Sequence, residues 1–395
     1  MHRSDLLIVG GAELPARIDI MKAFVNLAGG TDKRYAILPS ATVDPMGGFR
    51  KMCSWLGEAG VDASHIVLLA VSKELPGGVK GAWDPAVISM AAAADAVWIL
   101  GGNQNAITEL LLEPDGGDSP LLALLRGKVI GGTSAGAAVM GELMIGGGTS
   151  FGALACPRVT HPAGGEMDPG LFVTRGLGFF PEGLVDQHFD TRARLGRLLE
   201  ASLVEDGARR LAFGVAEATG LVYHAEQRRI EVVGHGAVYV LDPRQARRSL
   251  EQGPPGPRVR IEGAILSLLT EGDSLELATG TYSFGSKVAI MPGSQVFNTP
   301  CPVASGVLSA YGDLASFVAR LLLDNSPDGL FIDSKTGLKY ARSFVIDEAG
   351  GQTLAWEIRL MRLEGESSLW HGPGYSFQSV RIDILPLDIK ISHPQ

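Results

Sequence analysis

Short apolar segments alternate with stretches of helical periodicity over the first third of the chain, and this alternation constrains the fold more than any other feature. An apolar run, a helix and a second apolar run together are typical of a βαβ unit, whose two strands lie parallel in one sheet. We therefore predict an α/β fold with a doubly wound, mostly parallel sheet. The apolar runs are Leu6–Gly10, Tyr35–Leu38, Ile66–Leu69, Ala96–Leu100 and Lys128–Gly131, and the helical stretches are Ile18–Leu27, Phe49–Ala59, Pro85–Ala94 and Ile107–Leu112.

Three glycine-containing loops follow predicted strands of this sheet, at Gly10-Gly11, Gly101–Asn105 and Gly131–Ser134. In doubly wound sheets, ligands bind in the crevice beyond the carboxyl ends of the strands. We therefore expect the three loops to meet at one binding crevice.

The second half of the sequence favours β structure. After His188, short apolar segments separated by turn residues indicate antiparallel strands at Leu211–Val215, Leu221–His224, Ile230–Val233 and Val238–Leu241. Four prolines between Asp242 and Arg260 predict a long exposed loop. Further β segments follow to the end, so we divide the chain into an α/β domain of residues 1–278 and a smaller β-rich C-terminal domain of residues 279–395.

Charge and cysteine content limit the partners and the compartment. The chain of 395 residues has 34 Lys and Arg against 43 Asp and Glu, a formal net charge of −9. That balance argues against a general nucleic-acid-binding surface. The three cysteines are far apart and form no CxxC pair, which fits a reducing compartment. With no signal peptide pattern and no apolar run of about 20 residues, we expect a cytoplasmic protein that binds no membrane.

A GxSxG pattern follows the fifth apolar run, where Gly132, Ser134 and Gly136 lie between a predicted strand and a stretch of small residues. This is the context of a nucleophile elbow, a sharp turn that projects a serine hydroxyl into the crevice. We predict Ser134 as the nucleophile and the backbone N–H groups of Ala135 and Gly102 as donors to an oxyanion. The alternative is a glycine-rich turn that only packs helix on strand or cradles a phosphate.

A serine nucleophile needs a base, and His188 is the strongest candidate among the eight histidines because it ends a predicted strand. Three arginines follow it within nine residues, and guanidinium groups suit the capture of carboxylates. We predict a polar strip that binds substrate; the alternative is a solvated helix face, in which Asp190 pairs with Arg194. The strip consists of Asp186, Gln187, Arg192, Arg194 and Arg197.

Taken together, Gly131–Ala137, the Gly101–Gln104 loop and Asp186–Arg197 resemble the cyanophycinase family, serine peptidases related to dipeptidase E. The likeness runs from Leu6 to about Ala278, and the shortest family members lack the segment after it. It implies a class I glutamine amidotransferase-like fold and the hydrolysis of cyanophycin, an arginine-decorated polyaspartate, to β-Asp-Arg dipeptides. It implies neither a cofactor nor a metal.

The resemblance also implies roles for individual residues. Ser134 matches the family nucleophile, with an acyl-enzyme intermediate, and His188 matches its base. A polymer that carries both carboxylates and guanidinium groups needs arginines for the former and an acid such as Asp186 for the latter. The positions that match substrate recognition are Gln104, Asp186, Gln187, Arg192, Arg194 and Arg197.

One departure from the family concerns the acid that orients the histidine. The family usually places it in the glycine-rich stretch after the elbow helix, but residues 146–150 here read GGGTS and contain no carboxylate. We consider four substitutes and rank Glu166 first. The other three are Glu142, Asp168 and Glu217.

Other functions stay open at this point. The same nucleophile and arginines suit a dipeptidase for aspartyl or isoaspartyl peptides, so the expected ligand is cyanophycin or a β-aspartyl peptide. A catalytically silent protein that holds the polymer through its C-terminal extension is a further alternative. A glutamine amidotransferase is disfavoured, because that chemistry commonly uses Cys where this chain has Ser134. The oligomeric state that we consider is a homodimer.

Overall fold

The computed structural model describes residues 4–75, 81–155, 170–204, 210–253, 256–291, 303–305, 314, 318, 331–347 and 353–389. The elements of the first third alternate as predicted. In order they are β1 (Leu6–Val9), α1 (Arg17–Ala28), β2 (Tyr35–Leu38), α2 (Pro45–Glu58), a 3-10 turn (Ala63–His65), β3 (Ile66–Leu68), α3 (Pro85–Ala93), β4 (Ala96–Ile99), α4 (Gln104–Leu111), α5 (Pro120–Leu125), β5 (Val129–Thr133) and α6 (Ala135–Ala138).

Strands β1 to β5 form a parallel sheet in the order β1, β5, β4, β2, β3. Both of its faces are covered, since alternate residues of one strand enter different cores. Leu7 packs with Phe24 of α1 and Trp98 in one core, whereas Leu6 packs with Ile107 of α4 in the other. The predicted α/β fold with parallel strands is therefore confirmed.

Local sequence explains where several helices begin. Helices α2, α3 and α5 each start with proline, whose missing N–H costs nothing at the first helical position. The residue before each proline is Asp44, Asp84 or Ser119, and its side chain accepts a hydrogen bond from a backbone N–H of the first turn. These caps orient each helix as it leaves the preceding strand or loop.

The remaining chain is mostly β structure. Its elements are β6 (Leu143–Gly147), α7 (Ser150–Ala155), β7 (Phe172–Arg175), β8 (Gly183–Asp186), α8 (Leu195–Val204), β9 (Leu211–Val215), β10 (Thr219–His224), β11 (Arg229–Gly234), β12 (Ala237–Asp242), β13 (Arg247–Glu251), β14 (Arg258–Thr270), β15 (Ser274–Glu276), β16 (Thr281–Ser283), β17 (Val288–Ile290), β18 (Val303–Ser305), β19 (Phe331–Ile332), β20 (Lys339–Asp347), β21 (Leu354–Arg362), β22 (Ser368–His371) and β23 (Tyr375–Leu387).

The predicted antiparallel strands divide between two sheets. Strand β10 pairs antiparallel with β1 and, with β11, β15 and β16, extends the first sheet. The second sheet begins with β8, β9, β12 and β14 and continues with β23, β21, β20 and β18. Segments from both sides of residue 278 thus form one sheet.

The prediction of a long exposed loop from Asp242 to Arg260 is wrong. Residues 247–251 form β13, which pairs antiparallel with the first residues of β14. Pro257 lies in the connection between these two strands, where no ladder hydrogen bond needs a proline N–H. Pro254 and Pro255 lie outside the described residues. In the part of the chain that the structure describes, no helix is both long enough and apolar enough to cross a membrane.

Candidate active site

Ser134 occupies the sharp turn between β5 and α6. Its φ of 53° is unusual for a residue other than glycine, and its backbone N–H donates a hydrogen bond to Val9 O at 3.0 Å. The turn requires small neighbours: a Cβ at Gly132 would lie 2.5 Å from the oxygen of Gly136, and one at Gly136 would lie 2.3 Å from Ile99 O. The geometry is that of a nucleophile elbow.

His188 lies directly against this serine. The distance from Ser134 Oγ to His188 Nε2 is 2.9 Å, within hydrogen-bond range. The histidine follows β8, and its N–H donates to Gly10 O at 2.8 Å. A Cβ at Gly11 would lie 2.3 Å from Cε1 of the imidazole, so only glycine leaves room for the ring.

The carboxylate that contacts the histidine is Glu217, whose Oε1 lies 2.6 Å from His188 Nδ1. Glu217 lies in the turn between β9 and β10. Our ranking put Glu166 first, but Glu166 and Asp168 lie outside the described residues, and Glu142 forms an exposed ion pair with Arg210. One signal in the sequence favours Glu217: it follows the predicted strand next to the one that ends at His188.

The imidazole is buried, and burial is the largest influence on its ionisation. Burial lowers the pKa of His188 below the ordinary histidine value. The hydrogen bond from His188 to Glu217 raises the pKa, and the positive charge of Arg192 lowers it further. The neutral imidazole, which can accept the serine proton, is therefore favoured near neutral pH.

The two expected oxyanion donors lie on different segments: Ala135 directly follows Ser134 in the chain, and Gly102 lies on the loop after β4. Ala135 is the first residue of α6, and neither its N–H nor that of Gly102 donates a hydrogen bond to a described residue. The loop that carries Gly102 packs closely on the elbow, since a Cβ at Gly101 would lie 3.1 Å from Ser134 Cβ. Gly102 itself has a φ of 138°, which disfavours other residues.

A cavity of about 460 Å³ opens beside Ser134. The described residues of its lining include three arginines and no carboxylate, a composition that suits an anionic ligand. Five of the six residues predicted for substrate recognition line it, and Asp186 does not. The five are Gln104, Gln187, Arg192, Arg194 and Arg197.

The contacts of Asp186 correct its predicted role in substrate recognition. It is almost fully buried and accepts two hydrogen bonds from Arg197, from Nε at 2.7 Å and from Nη2 at 2.6 Å. Arg194 Nη1 adds a third at 3.2 Å. Both carboxylate oxygens therefore accept hydrogen bonds from guanidinium groups, which neutralise this buried charge. Asp186 is not among the residues that line the cavity.

The three arginines consequently differ in their surroundings. Arg197 is buried and also donates to Gly148 O at 2.7 Å, so it holds the glycine-rich wall of the cavity in place. Arg194 is partly buried, and burial lowers its pKa to about 9, which leaves it charged at neutral pH. Arg192 is exposed and forms no ion pair with a described residue, so its guanidinium is free to bind a ligand.

The two glutamines also have distinct environments. Gln104 Nε2 donates to Ile145 O at 3.1 Å and to Gly146 O at 3.2 Å, which ties the Gly101–Gln104 loop to β6. The Gln187 side chain is buried, and its Oε1 accepts no hydrogen bond from a described residue. An amide oxygen of this kind is available to a donor group of the ligand.

Comparison with known proteins assigns the chain to a family. Residues 6–230 match the family described as peptidase family S51. The chain belongs to peptidase family S51. A cyanophycinase from Geminocystis herdmanii is 35% identical over 247 residues, 61% of this S51 chain and 81% of that protein. A cyanophycinase from Synechococcus elongatus is 31% identical over 289 residues, 70% of this chain and 80% of that protein.

One solved structure is also similar, a peptidase from an acI-B1 Actinobacterium with 18% sequence identity and a TM-score of 0.45, covering 69% of this chain and 97% of that one. The segment that matches the S51 family contains Ser134, His188 and Glu217. The strands after residue 230 lie outside that segment.

Proposed function

We propose that this S51 peptidase is a cyanophycinase, which hydrolyses cyanophycin, multi-L-arginyl-poly-L-aspartate, to β-Asp-Arg dipeptides. The observation that carries the proposal is the hydrogen-bonded series Ser134, His188 and Glu217 beside an arginine-lined cavity. The names of the similar proteins from Geminocystis and Synechococcus support the choice of substrate.

In the proposed reaction, Ser134 Oγ attacks the carbonyl carbon of an aspartyl backbone peptide bond while His188 Nε2 takes the hydroxyl proton. The carbonyl oxygen becomes an oxyanion near the N–H groups of Ala135 and Gly102. His188 then gives the proton to the leaving amine, and the acyl group stays on Ser134 as an ester. A water molecule, deprotonated by His188, hydrolyses the ester and restores the serine.

Glu217 has a supporting role in this proposal. Its carboxylate accepts the Nδ1–H of His188, which fixes the tautomer that leaves Nε2 free to accept a proton. It also stabilises the imidazolium that forms during attack. Glu217 thereby takes the role for which Glu166 was ranked first.

We assign substrate recognition to polar groups that line the basic cavity. Each β-Asp-Arg unit carries one carboxylate and one guanidinium group. In this proposal Arg192 and Arg194, which line the cavity, bind the carboxylate, and Gln187 Oε1 replaces Asp186 as the acceptor for the guanidinium. Arg197 acts through Asp186 and Gly148, as a positioning residue.

Three broader assignments complete the proposal. The strand–serine–helix elbow at the carboxyl end of a parallel sheet supports a class I glutamine amidotransferase-like arrangement of the α/β part, residues 1–278, with residues 279–395 as its β-rich extension. Cysteine usage supports a cytoplasmic location. A homodimer stays a prediction, to be tested by light scattering.

The decisive experiment incubates the purified protein with cyanophycin and analyses the products by mass spectrometry. We expect β-Asp-Arg as the product, and no product from the Ser134→Ala variant. Binding of the polymer without hydrolysis by the wild type would contradict the proposal and favour a silent binding protein. Hydrolysis confined to short aspartyl or isoaspartyl peptides would favour a dipeptidase.

A further inference from the structure

A second cavity, of about 250 Å³, also opens at Ser134. Ser134 is the residue that its lining shares with the basic cavity. Any enzyme that cleaves a polymer backbone at this serine must hold a unit on each side of the scissile bond. The basic cavity accommodates one of these units, which leaves the second cavity for the other. Its polar and aromatic lining includes Glu13, Thr42, Lys51, Trp55 and Thr133.

Glu13 is the unusual residue of this second cavity. It is only 4% exposed, and its Oε1 accepts a hydrogen bond from Thr133 Oγ1. Among the described residues, no Lys, Arg or His forms an ion pair with it. Buried carboxylates are normally neutralised by a cation, because the loss of hydration is otherwise uncompensated. A buried carboxylate that lines a cavity and has no cationic partner among the described residues indicates a cationic ligand.

Lys51 provides the opposite charge in the same cavity. It is exposed, and its Nζ lies 4.2 Å from the centre of the Trp55 ring, a cation–π contact that holds the ammonium group at the cavity edge. It forms no ion pair with a described carboxylate. Among the described residues, the lining of the second cavity therefore has one carboxylate and one ammonium group without an ion-pair partner, with apolar surface from Met52 and Leu100 nearby.

We propose that this cavity binds the arginine of the neighbouring β-Asp-Arg unit, across the scissile bond from the unit in the basic cavity. Glu13 accepts the guanidinium group, Lys51 binds the arginine carboxylate, and Trp55 contacts the methylene groups between them. A linked arginine has just this pair of charges at the two ends of an aliphatic segment. The inference rests on the proposed function and makes Glu13 a residue that determines specificity.

The test uses three synthetic substrates: a dimer of two β-Asp-Arg units, and two analogues in which citrulline replaces one of the two arginines. Citrulline has the same length as arginine and no charge. For wild type, we expect each replacement to lower kcat/KM about tenfold or more, as for the loss of a charge-assisted hydrogen bond. In Glu13→Gln, one of the two citrulline analogues should have about the same kcat/KM as the dimer. The other analogue should still have a lower kcat/KM than the dimer.

Two variants separate binding from structure. Thr133→Val removes the hydrogen bond to Glu13 but keeps the Glu13 carboxylate. The preference for arginine over citrulline should therefore persist, even if kcat changes. Glu58→Gln is the matched control, since Glu58 is an exposed carboxylate paired with Arg17 outside the cavity, and it should change no ratio.

The outcomes are distinguishable. Two results for Glu13→Gln would overturn the inference and leave the proposed function standing. One is an equal fall of kcat/KM on all three substrates, and the other is an unchanged ratio of kcat/KM between the dimer and each analogue. Failure of the wild type to cleave any of the three would overturn the proposed function, and this inference with it.

Discussion

The loop of residues 10–13, directly after β1, positions both the histidine and the carboxylate of the proposed triad. Gly10 O accepts a hydrogen bond from the N–H of His188, and Gly11 O accepts one from Ala218, the residue that follows the carboxylate. Both distances are 2.8 Å. One short segment thus holds two groups that are far apart in sequence. Residue 11 of this segment must be glycine, because the imidazole of His188 occupies the space that a Cβ would need.

The first prediction at the residue scale concerns the carboxylate. Glu217→Gln should lower kcat by up to about four orders of magnitude, because a neutral amide neither fixes the tautomer nor stabilises the imidazolium of His188. Steady-state kinetics on cyanophycin would measure this. Glu142→Gln is the matched control at an exposed carboxylate and should stay within about twofold of wild type. Equal activity of Glu217→Gln and wild type would remove Glu217 from the triad.

The second prediction concerns pH. The base must be neutral to accept a proton, so kcat/KM should rise with pH through the pKa of His188 in the free enzyme. Because burial lowers that pKa, the midpoint of this rise should lie below the usual histidine value of about 6.5. Replacing Arg192 with Ala removes a charge that lowers the pKa, so the midpoint should move to higher pH. A shift in the opposite direction would contradict the electrostatic account.

At the scale of elements, β8 and α8 are joined by a buried ion pair rather than by apolar contacts alone. Asp186 ends β8, and Arg197 lies on the first turn of α8 with its side chain 6% exposed. This pair fixes the helix against the strand end that carries His188. The segment between them presents Arg192 to the cavity.

This difference between the two arginines gives the third prediction. Arg197→Ala leaves a buried carboxylate short of its main partner and should lower the free energy of unfolding by about 3–5 kcal/mol. Arg192→Ala removes an exposed side chain that forms no ion pair with a described residue, so it should raise KM and leave the free energy of unfolding within about 0.5 kcal/mol of wild type. Urea denaturation and kinetics on the same two variants separate the effects. Equal stabilities would show that the ion pair is dispensable.

The elements show why some features could be predicted and others could not. Strand β2 is found at the predicted residues, because a short, fully apolar run between helices is a local signal. Glu217 was among the four acids considered but was not ranked first, because its contact with His188 depends on the parallel pairing of β8 with β9, which is not local. The polarity of Asp186 suggested ligand binding, but whether a strand-end side chain points inward is decided by packing.

At the scale of the whole molecule, the C-terminal segment completes a sheet that the α/β part begins. Strand β14 pairs with β23 through fully buried residues, among them Leu268 opposite Phe377 and Ile261 opposite Ile384. A further link is the ion pair between Lys287 Nζ and Asp273 Oδ1, 2.5 Å apart, with side chains 3% and 0% exposed. The boundary at residue 278 therefore separates sequence segments that share one core.

The last prediction follows from this shared core. Truncation after Ala278 would expose one long edge of β14 and its apolar face, and would leave Asp273 buried without its cation. Exposed apolar strand edges promote association, so the truncated chain should aggregate or unfold at a much lower temperature than the full chain. Size-exclusion chromatography and thermal denaturation would measure this, with Lys287→Met in the full chain as the test of the ion pair alone. A monomeric truncated chain with cooperative unfolding and full turnover would instead mean that residues 1–278 fold as an independent domain.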